Sequence, residues 1–120
     1  MTKIMIVDDD VQATTLLHKI LSSEGYEAIS VNDSSKAVQL ARSIFPDLFL
    51  LDLMMPEPDG FKLCRLLRAD PYFSNTPIII ITALDDSDSR IVAFGAGAND
   101  YLTKPYNIAD LAERVRSLIH

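Results

Sequence analysis

The sequence predicts an α/β fold: a doubly wound sheet of five parallel strands in the order 2-1-3-4-5, with helices on both faces. Three observations carry that prediction. Strand-length apolar stretches alternate strictly with amphipathic segments; the first, third and fourth stretches are apolar on consecutive residues; the second and fifth are mixed. Strict alternation implies a parallel sheet with right-handed crossovers. Strands covered on both faces read as continuous apolar runs, so the mixed second and fifth belong at the edges.

The strands are "KIMIVD" (3–8), "YEAISV" (26–31), "DLFLLD" (47–52), "PIIIIT" (77–82) and "DYLTK" (100–104). Between the first two, Leu17, Ile20 and Leu21 share one face of a helix, and Ala37, Leu40, Ala41 and Ile44 do so in the next. Phe61, Cys64 and Leu67 mark the third helix, with Asp59 in the turn residues "MMPEPDG" placed to cap it. A fourth helix is expected over 87–96, closing at Gly95 and Gly97, with Asp85, Asp86 and Asp88 as negative charge at its amino end. The fifth carries Ile108, Leu111, Val115 and Leu118, with Asn107 as N-cap and Asp110 three residues on.

A chain of 120 residues suits one domain, here taken as 1–120. No apolar run approaches the roughly 20 residues of a membrane span, and "MTKIMIVDDD" lacks the pattern of an export signal, so a cytoplasmic protein is expected. Cys64, the one cysteine, allows no internal disulfide and no zinc site by itself. The net charge of −6, with Lys and Arg scattered, argues against a direct grip on nucleic acid.

What that negative charge does is suggested by "VDDD", where an apolar strand runs straight into three carboxylates. Like charges at such distances repel by roughly 4 kcal/mol per pair at an effective dielectric near 20. In sheets of this order ligands bind beyond the carboxyl ends of the strands, at the switch point between strands 1 and 3. There the predicted strand ends gather Asp8 and Asp9, Asp52, Thr82 and Ala83, and Lys104-Pro105. Acidic oxygen donors at one rim suit a hard cation, and Mg²⁺ fits best because it takes few carboxylates and keeps several waters. Three carboxylates and a lysine sum to −2, which one divalent cation cancels.

The set "VDDD", "LLDLMMPEPDG", "IITA" and "YLTKP" resembles the receiver domain of two-component response regulators, with that family's spacing over essentially the whole chain. The strand order is that of a chemotaxis member of the family, a flavodoxin-like three-layer sandwich, so order and family are not independent readings. The resemblance implies a phosphorelay receiver that takes a phosphoryl group from a histidine kinase phosphohistidine. It implies no enzymatic activity beyond the domain's own phosphotransfer and dephosphorylation. Asp52 resembles the phosphoacceptor, Asp9 a direct Mg²⁺ ligand, Asp8 a ligand through water, and Met54 the contributor of a backbone carbonyl. Lys104 and Thr82 would contact phosphoryl oxygens, Ala83 would offer its N–H, and Lys104-Pro105 resembles the family's cis peptide. Tyr101 stands where the family carries an aromatic that swings inward on phosphorylation, with helix 4, strand 5 and helix 5 as output face. The implied partners are a sensor histidine kinase or phosphotransfer protein, and a second copy of the chain through that output face. "CRLLRADP" and "ITALDDSDSR" resemble receivers joined to diguanylate cyclase or phosphodiesterase modules. His120 falls where the fifth helix should end, as in a stand-alone receiver or one cut from a longer protein.

Plainer readings compete at each position. Asp8 or Asp9 alone would read as a helix cap, and Asp10 reads as the cap itself. Thr82 and Tyr101 suit any strand, Lys104 any turn, Cys64 packing, and His18 and His120 the surface. Asp52 fits a solvated strand end poorly, because its strand is buried on both faces. An aspartyl phosphatase would need a second acid two residues after Asp52, where Met54 stands. A nucleotide module would need a phosphate-binding loop, and "GAGAND" (95–100) precedes a strand rather than opening a helix. Pro58 departs from the family, which more often has a flexible or apolar residue there. Met54 and Leu84, apolar and each two residues past a key position (Asp52 and Thr82), are expected to shield the phosphoryl group from water.

Overall fold

The computed structural model describes residues 1–119. Five strands, β1 (Lys3–Val7), β2 (Glu27–Val31), β3 (Leu48–Leu51), β4 (Ile78–Thr82) and β5 (Asp100–Thr103), form one sheet in the order β2-β1-β3-β4-β5. Every adjacent pair is parallel. Five helices connect or follow them: α1 (Val11–Ser23), α2 (Ala37–Ile44), α3 (Gly60–Ala69), α4 (Ser87–Gly95) and α5 (Ile108–Leu118). A short 3₁₀ turn, Ser34–Lys36, leads into α2. Among the described residues no helix is long and apolar enough to cross a membrane. His120 lies outside the described residues.

The period of two along each strand divides the core into two layers. Met5, Val7, Phe49, Leu51, Ile78 and Ile80 pack with Ala37, Ala41, Leu63, Cys64, Leu67 and Ala93, the faces of α2, α3 and α4. Ile4, Ile6, Leu48, Leu50, Ile79 and Ile81 pack with Leu17, Ile20, Leu21, Leu111 and Val115 from α1 and α5. Each of the Val, Leu, Ile, Phe and Met side chains contributes about 1.5–3 kcal/mol by leaving water, so every residue of β3 and β4 is held in place from both sides. Strands β2 and β5, the edges, are only partly covered.

Caps set the helix starts as the sequence indicates. Asp10, Asp59, Asp86 and Asn107 each accept a backbone N–H of the first turn with a side-chain oxygen. Two apolar residues assigned to helix stripes are not buried: Leu40 is 37 % and Ile108 54 % exposed. In the eight-residue α2 the small Ala37 and Ala41 make the close contact and leave Leu40 at the stripe's edge. Ile108 is the first residue of α5, a turn before the fully buried Leu111.

Candidate functional site

All strands are parallel, so their carboxyl ends lie along one edge of the sheet and the residues that follow them share a rim. β1 and β3 are in register from Ile4 with Leu48 to Val7 with Leu51, which sets Asp8 beside Asp52. The Asp52 amide donates to the Val7 carbonyl at 3.0 Å and the Asp8 amide to the Val31 carbonyl at 3.1 Å, extending both ladders one residue past the strands. Asn32 steadies this corner by donating to the Asp8 carbonyl at 2.9 Å and to Thr14 Oγ1 at 3.0 Å. Gly60 closes it from above: a Cβ there would lie 2.1 Å from the Asp52 carbonyl oxygen, so only glycine lets α3 start so near the strand.

Asp8 and Asp52 are buried, and the Lys104 ammonium joins them, donating to Asp8 Oδ2 at 2.8 Å and Asp52 Oδ2 at 3.1 Å. Asp8 Oδ1 accepts from the Asp10 amide and Asp52 Oδ1 from the Met54 amide. Burial pushes the Asp8 carboxyl upward and the negative charge of Asp52 adds to this, against the lowering pull of Lys104 and the Asp10 amide. Burial alone would lower the Lys104 ammonium, but the hydrogen bond to Asp8 and both carboxylate charges raise it. Both shifts run toward holding protons. Two carboxylates against one ammonium leave surplus negative charge, which a cation relieves.

Asp9 is exposed just past the end of β1, and Met54 is 58 % exposed in the chain segment that follows Asp52. Among the described residues no three Asp, Glu, His or Cys side chains converge tightly enough to ligate a metal by themselves. Between Asp8 and Asp52 stands the Lys104 ammonium instead. The donor set nonetheless fits Mg²⁺, which needs only one or two carboxylates with a carbonyl and waters. On the far side Thr82 is fully buried, its Oγ1 3.5 Å from the Leu84 amide, and Ala83 follows at the exposed strand end. The Lys104 amide donates to the Thr82 carbonyl at 2.8 Å, and Lys104-Pro105 is cis, as expected. A second cis bond, Glu57-Pro58, was not indicated by the sequence.

Tyr101 is buried, with its hydroxyl donating to the Leu84 carbonyl at 2.6 Å. Burial raises its phenol pKa, opposed by the charge of Arg90. Cys64 is packed in the core, and burial pushes its thiol up, so it is no reactive group. His18 is exposed on α1, with Nδ1 3.4 Å from Ser22 Oγ. Two arginines went unread in the sequence. Arg68 donates to the carbonyls of Gly97, Phe73 and Thr76 and to Asn99 Oδ1, tying α3 to the loops before β4 and β5. Arg90 lies against Tyr101, with its guanidinium carbon 4.6 Å from the ring centroid. Neither contact has a local signal, because each joins residues of different elements that meet only in the folded chain.

Comparison with known proteins agrees with this geometry. The response regulator receiver domain family matches residues 4–116. The DNA-binding dual master transcriptional regulator RpaA of Synechocystis is 40 % identical over 99 % of this chain and 49 % of its own length. Response regulator PleD of Caulobacter vibrioides is 43 % identical over 97 % of this chain and 26 % of its own. The chain thus spans half or less of these relatives. Among solved structures, a putative response regulator from Chloroflexus aurantiacus superposes with TM-score 0.93 at 35 % identity, covering 98 % of this chain and 96 % of that one. The BeF3-activated receiver domain of Klebsiella pneumoniae RstA gives 0.92 at 33 %, covering 98 % and 97 %.

Proposed function

This chain belongs to the response regulator receiver domain family, and from that premise we propose that Asp52 is its phosphoacceptor, charged by a histidine kinase or phosphotransfer protein. The observation that carries the reading is the buried Asp8–Lys104–Asp52 cluster at the sheet's switch point. A carboxylate oxygen of Asp52 attacks the phosphorus of a phosphohistidine; the P–O bond forms as the P–N bond breaks, and the imidazole leaves with the bonding pair. Asp9, Asp52 and the Met54 carbonyl would hold Mg²⁺, with Asp8 acting through a coordinated water, and the ion would neutralise charge on the transferring group. Lys104 turns from the carboxylates to a phosphoryl oxygen, and Thr82 Oγ1 with the Ala83 N–H receives the others.

Helix α4, β5 and α5 form the proposed output face, on which Ile91, Val92 and Phe94 of α4 are exposed. These apolar side chains suit contact with a second copy or a downstream module. RpaA is named as DNA-binding and PleD only as a response regulator. The α3 and β4–α4 segments, "CRLLRADP" and "ITALDDSDSR", support a joined diguanylate cyclase or phosphodiesterase module.

Intact-protein mass spectrometry with phosphoramidate and Mg²⁺ tests the central reading. One base-labile phosphoryl group is expected, lost in Asp52→Asn and on chelation; incorporation that survives Asp52→Asn overturns it.

A further inference from the structure

Arg90 makes two contacts with one edge strand. Besides lying over the Tyr101 ring, it donates from Nη2 to Thr103 Oγ1 at 3.0 Å. Residues 101 and 103 are two apart on β5 and face the same way, so a single guanidinium grips the strand at consecutive positions of that face. Phe94, a turn further along α4, packs near the same ring at 6.4 Å between centroids. The far end of that ring is where the contact matters. The Tyr101 hydroxyl holds the Leu84 carbonyl, and Leu84 directly follows Ala83 and Thr82, the proposed phosphoryl-oxygen donors.

We propose that Arg90 is a positioning residue for the phosphoryl pocket: by clamping Tyr101 against β5 it fixes Leu84, and through Leu84 the Thr82–Ala83 donors. This deepens the reading of Asp52 as phosphoacceptor and rests on it. The physical basis is that donors stabilise a transition state in proportion to how well they are held before it forms. The segment from Ala83 to Ser87 is mostly exposed and has no apolar anchor of its own except half-buried Leu84. Its geometry is therefore set by what grips it from outside. A stacked guanidinium is suited to this, since its planar face lies on the ring while its edge still donates a hydrogen bond. Arg90 itself touches no reacting atom.

The test measures the initial rate of phosphoryl incorporation from phosphoramidate with Mg²⁺, and the Tyr101 ring resonances, in wild type, Arg90→Ala, Arg90→Lys, Tyr101→Ala and the Tyr101→Ala/Arg90→Ala double variant. Arg90→Ala is expected to slow incorporation about tenfold, a small part of the loss a misplacement of about 1 Å can cause, and to shift and broaden the Tyr101 signals. Arg90→Lys, which keeps the cation but not the planar face that stacks on the ring, should recover less than half of that loss. In the Tyr101→Ala background the Arg90 substitution should have less than about a twofold effect, because residues acting through one another are non-additive. An equal loss in both backgrounds, or an unchanged ring signal in Arg90→Ala, overturns the proposal. Absence of incorporation in wild type strikes the Asp52 reading itself. Normal incorporation in both wild type and Arg90→Ala strikes only the role of Arg90.

Discussion

Lys104 Nζ donates to Asp8 Oδ2 at 2.8 Å across 96 positions of sequence, and the same ammonium reaches Asp52 Oδ2 at 3.1 Å. The lysine acts as counter-cation for two buried carboxylates, in the place where a divalent ion would compete with it.

Lys104→Ala should therefore separate the two cations. Without metal the variant loses about 2 kcal/mol in urea denaturation, below the range for breaking a fully buried pair because Lys104 is partly exposed. Mg²⁺ affinity by calorimetry should rise about tenfold, since a positive charge has left the site. Phosphorylation should persist in part. Affinity that stays level or falls would show that lysine and ion do not share the site.

Gly60→Ala is expected to destabilise the protein by about 3 kcal/mol, at the upper end for overpacking. Its new methyl would meet backbone atoms of Asp52 and Leu53, which cannot turn aside as a side chain could. The urea midpoint reports this, and the Asp52 amide resonance should move with it. A midpoint within error of wild type would mean that α3 slides freely relative to β3.

Asp70 supplies a pH dependence far from the rim. The Tyr72 amide and the Arg42 guanidinium hold its carboxyl below the ordinary 3.8. The native state thus favours the ionised form, so the contribution is fully present above the unfolded value and disappears as pH falls through the lowered one. Thermal midpoints measured from pH 5 downward should fall less steeply in Asp70→Asn than in wild type. Parallel curves would remove Asp70 from the acid sensitivity.

Met54→Asn should shorten the phosphorylated lifetime several-fold, read by mass spectrometry after removal of donor. Met54 is an exposed apolar side chain two residues past Asp52, and an amide in its place can orient a water toward the phosphorus. An unchanged decay would assign the shielding elsewhere, with half-buried Leu84 next to be tested.

Much of this was legible locally. The continuous apolar runs of β1, β3 and β4 marked interior strands, and Asp10, Asp59 and Asn107 marked helix starts, because burial on both faces and an unpaired first-turn N–H are demands that neighbouring residues meet. Periodicity puts Leu40 and Ile108 on their helices' apolar stripes, but it does not fix how far the opposite surface extends, and both lie at an exposed edge.

Local sequence sufficed for the strands, for which of them are edges and for which residues reach the carboxyl rim, since strand burial and alternation are encoded within a few residues of each other; the full order came with the family resemblance. Tertiary packing settled how the long cationic side chains are used: Lys104 between Asp8 and Asp52, Arg68 across the two loops before β4 and β5, Arg90 over Tyr101. Flexible lysine and arginine chains can reach many acceptors, and which they meet depends on where distant backbone segments come to rest.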